Sequence, residues 1–226
     1  MASSLKEQVT FHFEILSRAT KKALDFLSEQ PWMGASGWYL AGGTALALQT
    51  GHRRSVDLDF FTAEAKFNST RLLARFLNNA DWKTAVDEPN TVYGELFKAK
   101  VSFITYPFFV PKQRFIRYGA INILSSLDIA VMKIIAISQR GRKRDFFDLY
   151  WCAKNVEPLE KTIRRLRVQY PAVAHDYHHI LKSLVYFDDA EADPMPNIHF
   201  KATWTEIKKF FIKEVPRITS TIMQLD

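Results

Sequence analysis

The stretch Tyr39–Phe61, YLAGGTALALQTGHRRSVDLDFF, decides the fold and narrows the chemistry. It reads as a strand, a glycine turn, a short helix, a loop, and a second strand carrying Asp57 and Asp59. Side chains two apart on a strand point to one face, so the two carboxylates share it. Carboxylates side by side repel, and the arrangement is costly unless a cation sits between them. Gly42 and Gly43 let a backbone turn come close to a ligand, and Thr44 then opens a helix whose free N–H groups suit a phosphate. A phosphate cradle beside a carboxylate pair for a divalent metal is the minimum equipment for nucleotidyl transfer.

Simpler readings compete with this one. A Gly-Gly pair before a helix is often only a tight turn, and a lone D-x-D is often a solvated strand end. Here Leu58, Phe60 and Phe61 make the flanks of the acids apolar. Buried carboxylates are seldom left unpaired. Finding the acids one helix and one loop after the glycines favours the functional reading.

Working outward, Ser3 or Ser4 is expected to cap a long first helix carrying Phe11, Phe13, Ile15, Leu16, Ala19, Ala23 and Leu27, ended by Pro31 and the stretch 34–37. A helix capped by Asn68 or Ser69 follows the acidic strand. Segments 82–87, 91–98 and 100–106 read as strands, the last two as a possible hairpin, and 114–123 as one more strand or hairpin arm. The period then changes. Helices are expected from Ser125 or Ser126 to Arg140, closed by Gly141, and over 143–154, 159–169, 175–186 and 203–223, with 188–197 a loop. The fold class is therefore α+β: a small mixed sheet with flanking helices, then a mainly helical half. The expected division is 1–124 and 125–226, with a nucleotide in the cleft between them.

The segment AGGTALALQTGHRRSVDLDFF resembles the AbiEii/AbiGii toxin family of polymerase-beta-like nucleotidyltransferases. The later segment LDIAVMKIIAISQRGRKRDFFDLYW is similar to that family's downstream motifs, an Asp and a Lys on one helix and R-D-x-x-D-L on the next. The resemblance implies Mg2+ or Mn2+ held by Asp57 and Asp59, and an NTP as substrate. Gly42, Gly43, Thr44, Arg53 and Ser55 would bind the nucleotide, with Lys133 and Asp145 completing the catalytic set. It further implies an RNA acceptor, particularly a tRNA end, and a separate antitoxin protein. The superfamily draws a third carboxylate from a neighbouring strand, where KAKVSFITY offers Ser102 instead. A serine is a poor general base, so another group would serve, Asp145 being the first candidate, or activity would be lost.

The remaining chemistry is more ambiguous. Lys133, in the apolar helix IAVMKIIAI, either snorkels to solvent or meets an anionic ligand. Asp148, one turn from Asp145, reads as structural, paired with Arg144 or with a residue of the first helix. Arg53 could grip a phosphate bidentately or lie on the surface. His175, His178 and His179 lack partners at metal-ligand spacing and read as packing or surface residues. Trp38 and Tyr39 read as core.

The 226 residues are 47% hydrophobic and 24% charged, enough for a packed core and against global disorder. No apolar run approaches the roughly 20 residues of a membrane span. Cys152 is the single cysteine, so an intrachain disulfide is excluded and a reducing cytoplasm is expected. The net charge of +7 is concentrated at Arg140, Arg142, Lys143 and Arg144, at 161–167, and at 208–213, consistent with a polyanion partner. Two rivals remain open: a catalytically silent nucleotide- or RNA-binding module with the same fold, which Ser102 favours, and a transferase acting on a small molecule.

Overall fold

The computed structural model describes residues 10–173 and 175–222. In chain order the elements before the acids are α1 (Arg18–Ser28), α2 (Pro31–Ala35), β1 (Tyr39–Ala41) and α3 (Gly42–Thr50). The acidic strand β2 (Leu58–Thr62), α4 (Ser69–Leu73), the meander β3 (Trp82–Glu88), β4 (Thr91–Leu96), β5 (Ala99–Thr105), and the hairpin β6 (Ile116–Tyr118) and β7 (Ile121–Ile123) follow. The helical half is α5 (Ser126–Arg140), α6 (Lys143–Asn155), α7 (Leu159–Gln169), α8 (Tyr177–Ser183), α9 (Asp188–Glu191) and α10 (Trp204–Ile222).

One mixed sheet runs in the order β3-β4-β5-β2-β1-β7-β6. Its centre decides the site. β1 is antiparallel to β2, with Ala41 opposite Asp59, and β2 is parallel to β5, with Asp59 opposite Ser102. Alternation sends Leu58, Phe60 and Thr62 of β2 into the interior and leaves Asp59 and Phe61 on the other face. Phe60 stacks on Phe103 (centroids 5.2 Å apart), and Trp38 meets the same ring edge-on at 5.2 Å. Each such fully buried ring contributes about 1.5–3 kcal/mol. α3 packs on β1, β2 and α5, and α5 packs in turn on α6, α7 and α8. α5 thus links the sheet to the helical half.

Local signals explain where α5 starts and stops. The Ser125 side chain accepts the Asp128 N–H at 3.2 Å, and Gly141 takes a left-handed φ of 53° while its N–H returns to the Ile137 carbonyl. Asp128 is itself buried and accepts the N–H groups of Lys112 and Gln113, tying the preceding loop to the start of α5.

Several boundaries differ from expectation. Ser3 and Ser4 lie outside the described residues. Where described, the long first helix is broken: a single 3-10 turn at Phe13–Ile15 precedes α1, which starts at Arg18 under a Ser17 cap accepting from Thr20. Phe11 and Phe13 leave the helical stripe to pack on Tyr118. Pro31 does not simply end a helix but sits in the first turn of α2. α3 begins at Gly42 rather than Thr44. The 114–123 segment is a hairpin of two short strands turned at Gly119 (φ 55°). The expected helix over 175–186 shortens to Tyr177–Ser183, and the acidic loop at 188–197 holds one helical turn, α9.

Candidate active site

β1 delivers the chain to Gly42, whose φ of +71° favours glycine. A Cβ at Gly42 would stand 3.3 Å from Asp59 Oδ2. A Cβ at Gly43 would stand 2.2 Å from Arg53 Nη2. The turn is bare because the protein's own carboxylate and guanidinium lie against it. Thr44 Oγ1 donates to the Asp57 carbonyl and shares a 2.8 Å hydrogen bond with Ser55 Oγ. The start of α3 is thereby fastened to the loop that presents Asp57.

Asp57 and Asp59 both line one cleft of about 360 Å³. Ser102 Oγ donates to Asp59 Oδ1 at 2.7 Å, as its register position requires. Burial pushes the Asp59 carboxyl above its usual value. The Ser102 hydrogen bond works against that, and repulsion from Asp57 adds to it. The cation at the open pair is Arg144, whose Nη1 is 3.9 Å from Asp57 Oδ2, with the side chain about half exposed (52%). Arg140 and Arg144 line the cleft from the α5–α6 side. Ile129 and Met132 of α5 add apolar surface, and the sheet side is aromatic and apolar, with Phe61, Tyr93, Ile104 and Tyr106.

A second carboxylate pair lies behind this cleft. Asp145 and Asp148 of α6 are both fully buried. Asp148 receives Arg53 Nε (2.5 Å) and Nη2 (2.9 Å), His52 Nε2 (2.8 Å) and Lys133 Nζ (2.7 Å). Lys133 Nζ also reaches Asp145 Oδ1 at 2.6 Å, and Arg140 Nε stands 3.4 Å from Asp145 Oδ2. Burial alone would raise Asp148, but Arg53 and Lys133 hold it well below the usual carboxylate range. Burial likewise opposes the Lys133 charge, yet Asp145 and Asp148 keep its ammonium above the ordinary value.

Gly42, Gly43, Thr44, Arg53, Ser55, Asp57, Asp59 and Lys133 thus surround a single cleft. Asp145 does not line it and stands behind Lys133. Arg53 is buried rather than on the surface, and its fork grips Asp148. Asp148 pairs with neither Arg144 nor the first helix, its partners being His52, Arg53 and Lys133. The basic cluster divides. Arg142 Nη1 bonds Asp193 (2.8 Å), Lys143 is buried with Nζ on the Glu191 and Asp193 carbonyls, and Arg140 and Arg144 turn to the cleft. Sequence reasoning named both arginines without placing them in the cleft, and it missed Tyr93. Arg140, two helical turns after Lys133 on α5, carried a signal in its spacing; Arg144 did not. Tyr93 depends on the β4–β5 register, in which it stands opposite Ser102. His175 and His179 spend ring nitrogens on the Tyr170 and Ser138 carbonyls.

Two carboxylates and no third acid form a sparse donor set. Among the described residues no three His, Cys, Asp or Glu side chains gather in a metal-binding group. Mg2+ is commonly held by one or two carboxylates together with substrate phosphates, so the open pair fits that ion.

Comparison with known proteins agrees with this geometry. The fold is that of the nucleotidyltransferases. The profile of the family described as nucleotidyl transferase AbiEii toxin, type IV TA system, matches residues 34–106 and 90–221. The chain belongs to that family. A protein of Aquifex aeolicus, itself without an assigned function, is 35% identical over 185 residues, covering 79% of this chain and 86% of its own. Among solved structures, the nucleotidyltransferase toxin MenT4 of Mycobacterium tuberculosis is similar in fold (TM-score 0.53, 16% identity, 88% of this chain and 86% of that one). So is JHP933 of Helicobacter pylori (TM-score 0.50, 20% identity, 93% and 99%).

Proposed function

We propose that this chain is an active, divalent-metal-dependent nucleotidyltransferase that moves a nucleoside monophosphate from an NTP to RNA, with a tRNA end the favoured acceptor. The observation that carries the reading is the open Asp57–Asp59 pair, set against a bare glycine turn in a cleft that also holds the half-exposed Arg140 and Arg144. Asp57 and Asp59 would hold Mg2+ or Mn2+. When bound, the metal supplies charge neutralisation at the transferring phosphoryl group. Arg144 and Arg140 receive the triphosphate from the α6 side, and the N–H groups at Gly43 and Thr44 receive it from the other. Phe61, Tyr93 and Tyr106 offer the faces on which the base rests. Lys133 adds positive potential at the cleft floor, and Asp145 positions it.

Ser102 takes the third-acid position and orients Asp59 instead of accepting a proton. The acceptor hydroxyl therefore loses its proton to solvent or to a group the RNA brings. The chain reads as a nucleotidyltransferase core over 1–124 and a helical part over 125–226 that supplies the opposite wall. As a toxin it would have a separate antitoxin, and it would act in the cytoplasm. Among the described residues no helix is long and apolar enough to cross a membrane.

The test is incubation with each α-labelled NTP, Mg2+ and bulk RNA. Label in RNA, lost with EDTA and in Asp57→Asn, supports the reading. Tight NTP and RNA binding with no transfer under any of the four NTPs would favour the silent binding module. Label on small molecules alone would favour the third class.

A further inference from the structure

The sheet has a second cavity on its other face. It measures about 520 Å³, within the roughly 300–1,000 Å³ range of small-ligand sites. Its walls are aromatic. Trp38 and Phe67 meet at 5.2 Å edge to face, and Trp32 is held by Phe76 (5.9 Å) and Phe103 (6.3 Å). Its rim is cationic. Arg71 and Arg75 are four residues apart, both exposed, and both line the cavity. Among the described residues neither guanidinium has a hydrogen-bond or ion-pair partner.

The polar inventory is one-sided. Among the described residues no carboxylate lines the cavity. Asn68 spends its oxygen on the Arg71 N–H at 2.8 Å, which leaves its amide NH2 to donate. The Trp38 indole N–H makes no hydrogen bond among the described residues and is left to donate. Stacking faces, several donors and two free guanidinium groups call for a flat, acceptor-rich, anionic ligand.

We propose that this groove binds a nucleotide unit of single-stranded RNA, its base against the Trp32–Phe67 wall and its phosphate on Arg71 and Arg75. An acidic peptide would satisfy the arginines but bring no flat partner to the aromatic wall. Trp38 and Phe60 occupy the face of the sheet opposite Asp59, so this site is separate from the cleft. Its use, anchoring a strand whose end enters the cleft, rests on the reading of RNA as acceptor; its chemistry does not.

The experiment measures binding of a short labelled single-stranded RNA by anisotropy across a salt series. The proteins are the parent and Arg71→Gln/Arg75→Gln, each also carrying Asp57→Asn/Asp59→Asn so that the cleft is disabled. Affinity should fall about tenfold, and the slope of log K against log salt should flatten by about 0.7, the loss of one phosphate contact. Free AMP should quench tryptophan emission only weakly, and the RNA strongly. Trp32→Leu should reduce RNA affinity without changing the salt slope. Unchanged affinity and slope after loss of both arginines overturns the proposal. So does AMP binding as tightly as the strand, or poly-glutamate displacing RNA at equal charge. Persistence of the arginine effect in the Asp57→Asn/Asp59→Asn background keeps the result independent of whether the front cleft transfers nucleotides.

Discussion

The molecule carries two pairs of aspartates with opposite surroundings. Asp145 and Asp148 are fully buried and ion-paired with Lys133, Arg53, His52 and Arg140. Asp57 and Asp59 face a cleft with one half-exposed arginine at 3.9 Å and a serine hydroxyl as their protein partners. The same chemical group serves two ends. Where cations from α5 and from the loop before β2 converge, the carboxylates brace the fold. Where they do not, the carboxylates are left short of positive charge, and a ligand must bring it. The cations grade in parallel: Arg53 and Lys133 are buried with their charge on the brace, Arg140 touches both the brace and the cleft, and Arg144 faces the cleft alone.

The largest expected effect is on the brace. Asp148→Asn strands Arg53 and Lys133 in the interior and should cost about 3–5 kcal/mol of stability by urea denaturation. Asp57→Asn should leave stability nearly unchanged. Equal losses from the two substitutions would erase the distinction. Transfer should show the reverse order, Asp57→Asn lowering the rate by about 10²–10³-fold, the scale of losing one preorganised electrostatic contact. A folded Asp57→Asn with parent activity would remove Asp57 from the chemistry.

Arg144→Gln should weaken NTP binding by about 10–100-fold, the worth of one charge-assisted hydrogen bond at about 1.5–3 kcal/mol. It should not lower the melting temperature, because the side chain is half exposed and its one ion pair is long. A melting-temperature drop without an affinity change would move Arg144 into the brace.

Acid should act on the brace as well. A carboxylate held below its unfolded value stabilises the fold above about pH 3.9, and that contribution drains away as pH falls toward the folded value. The parent should therefore lose stability below about pH 4, and Asp148→Asn should show a flatter acid limb. Parallel limbs would mean that Asp148 is not the group titrating. The smallest effect belongs to Ser102→Ala, which removes one hydrogen bond from Asp59 and should weaken Mn2+ binding only a few-fold, about 0.5–1.5 kcal/mol. A complete loss would make Ser102 a metal ligand.

Much of this contrast was legible in the chain, and the limits are physical. The Tyr39–Phe61 stretch announced its strand, turn, helix and acidic strand because each step has a local cause: β alternation, glycine at positive φ, and a helix closed by Gly51 (φ 63°). Ser102 could be placed beside Asp59 because alternation in KVSFITY fixes which side chains share a face, and the register bears this out. What could not be read was who neutralises whom. Arg53 could not be told from a surface residue because its partner, Asp148, lies 95 residues away. The break before α1 escaped for a similar reason, since Phe11 and Phe13 answer to Tyr118 and not to the helical period.

The most direct measurement is anomalous diffraction from crystals holding Mn2+ and a non-hydrolysable NTP. The account predicts one peak about 2.1 Å from carboxylate oxygens of both Asp57 and Asp59, with Arg144 withdrawn from Asp57 onto a phosphate and the Asp145–Asp148 brace unchanged. A peak at Asp145 or Asp148, or none in the cleft while the nucleotide is bound, would contradict it.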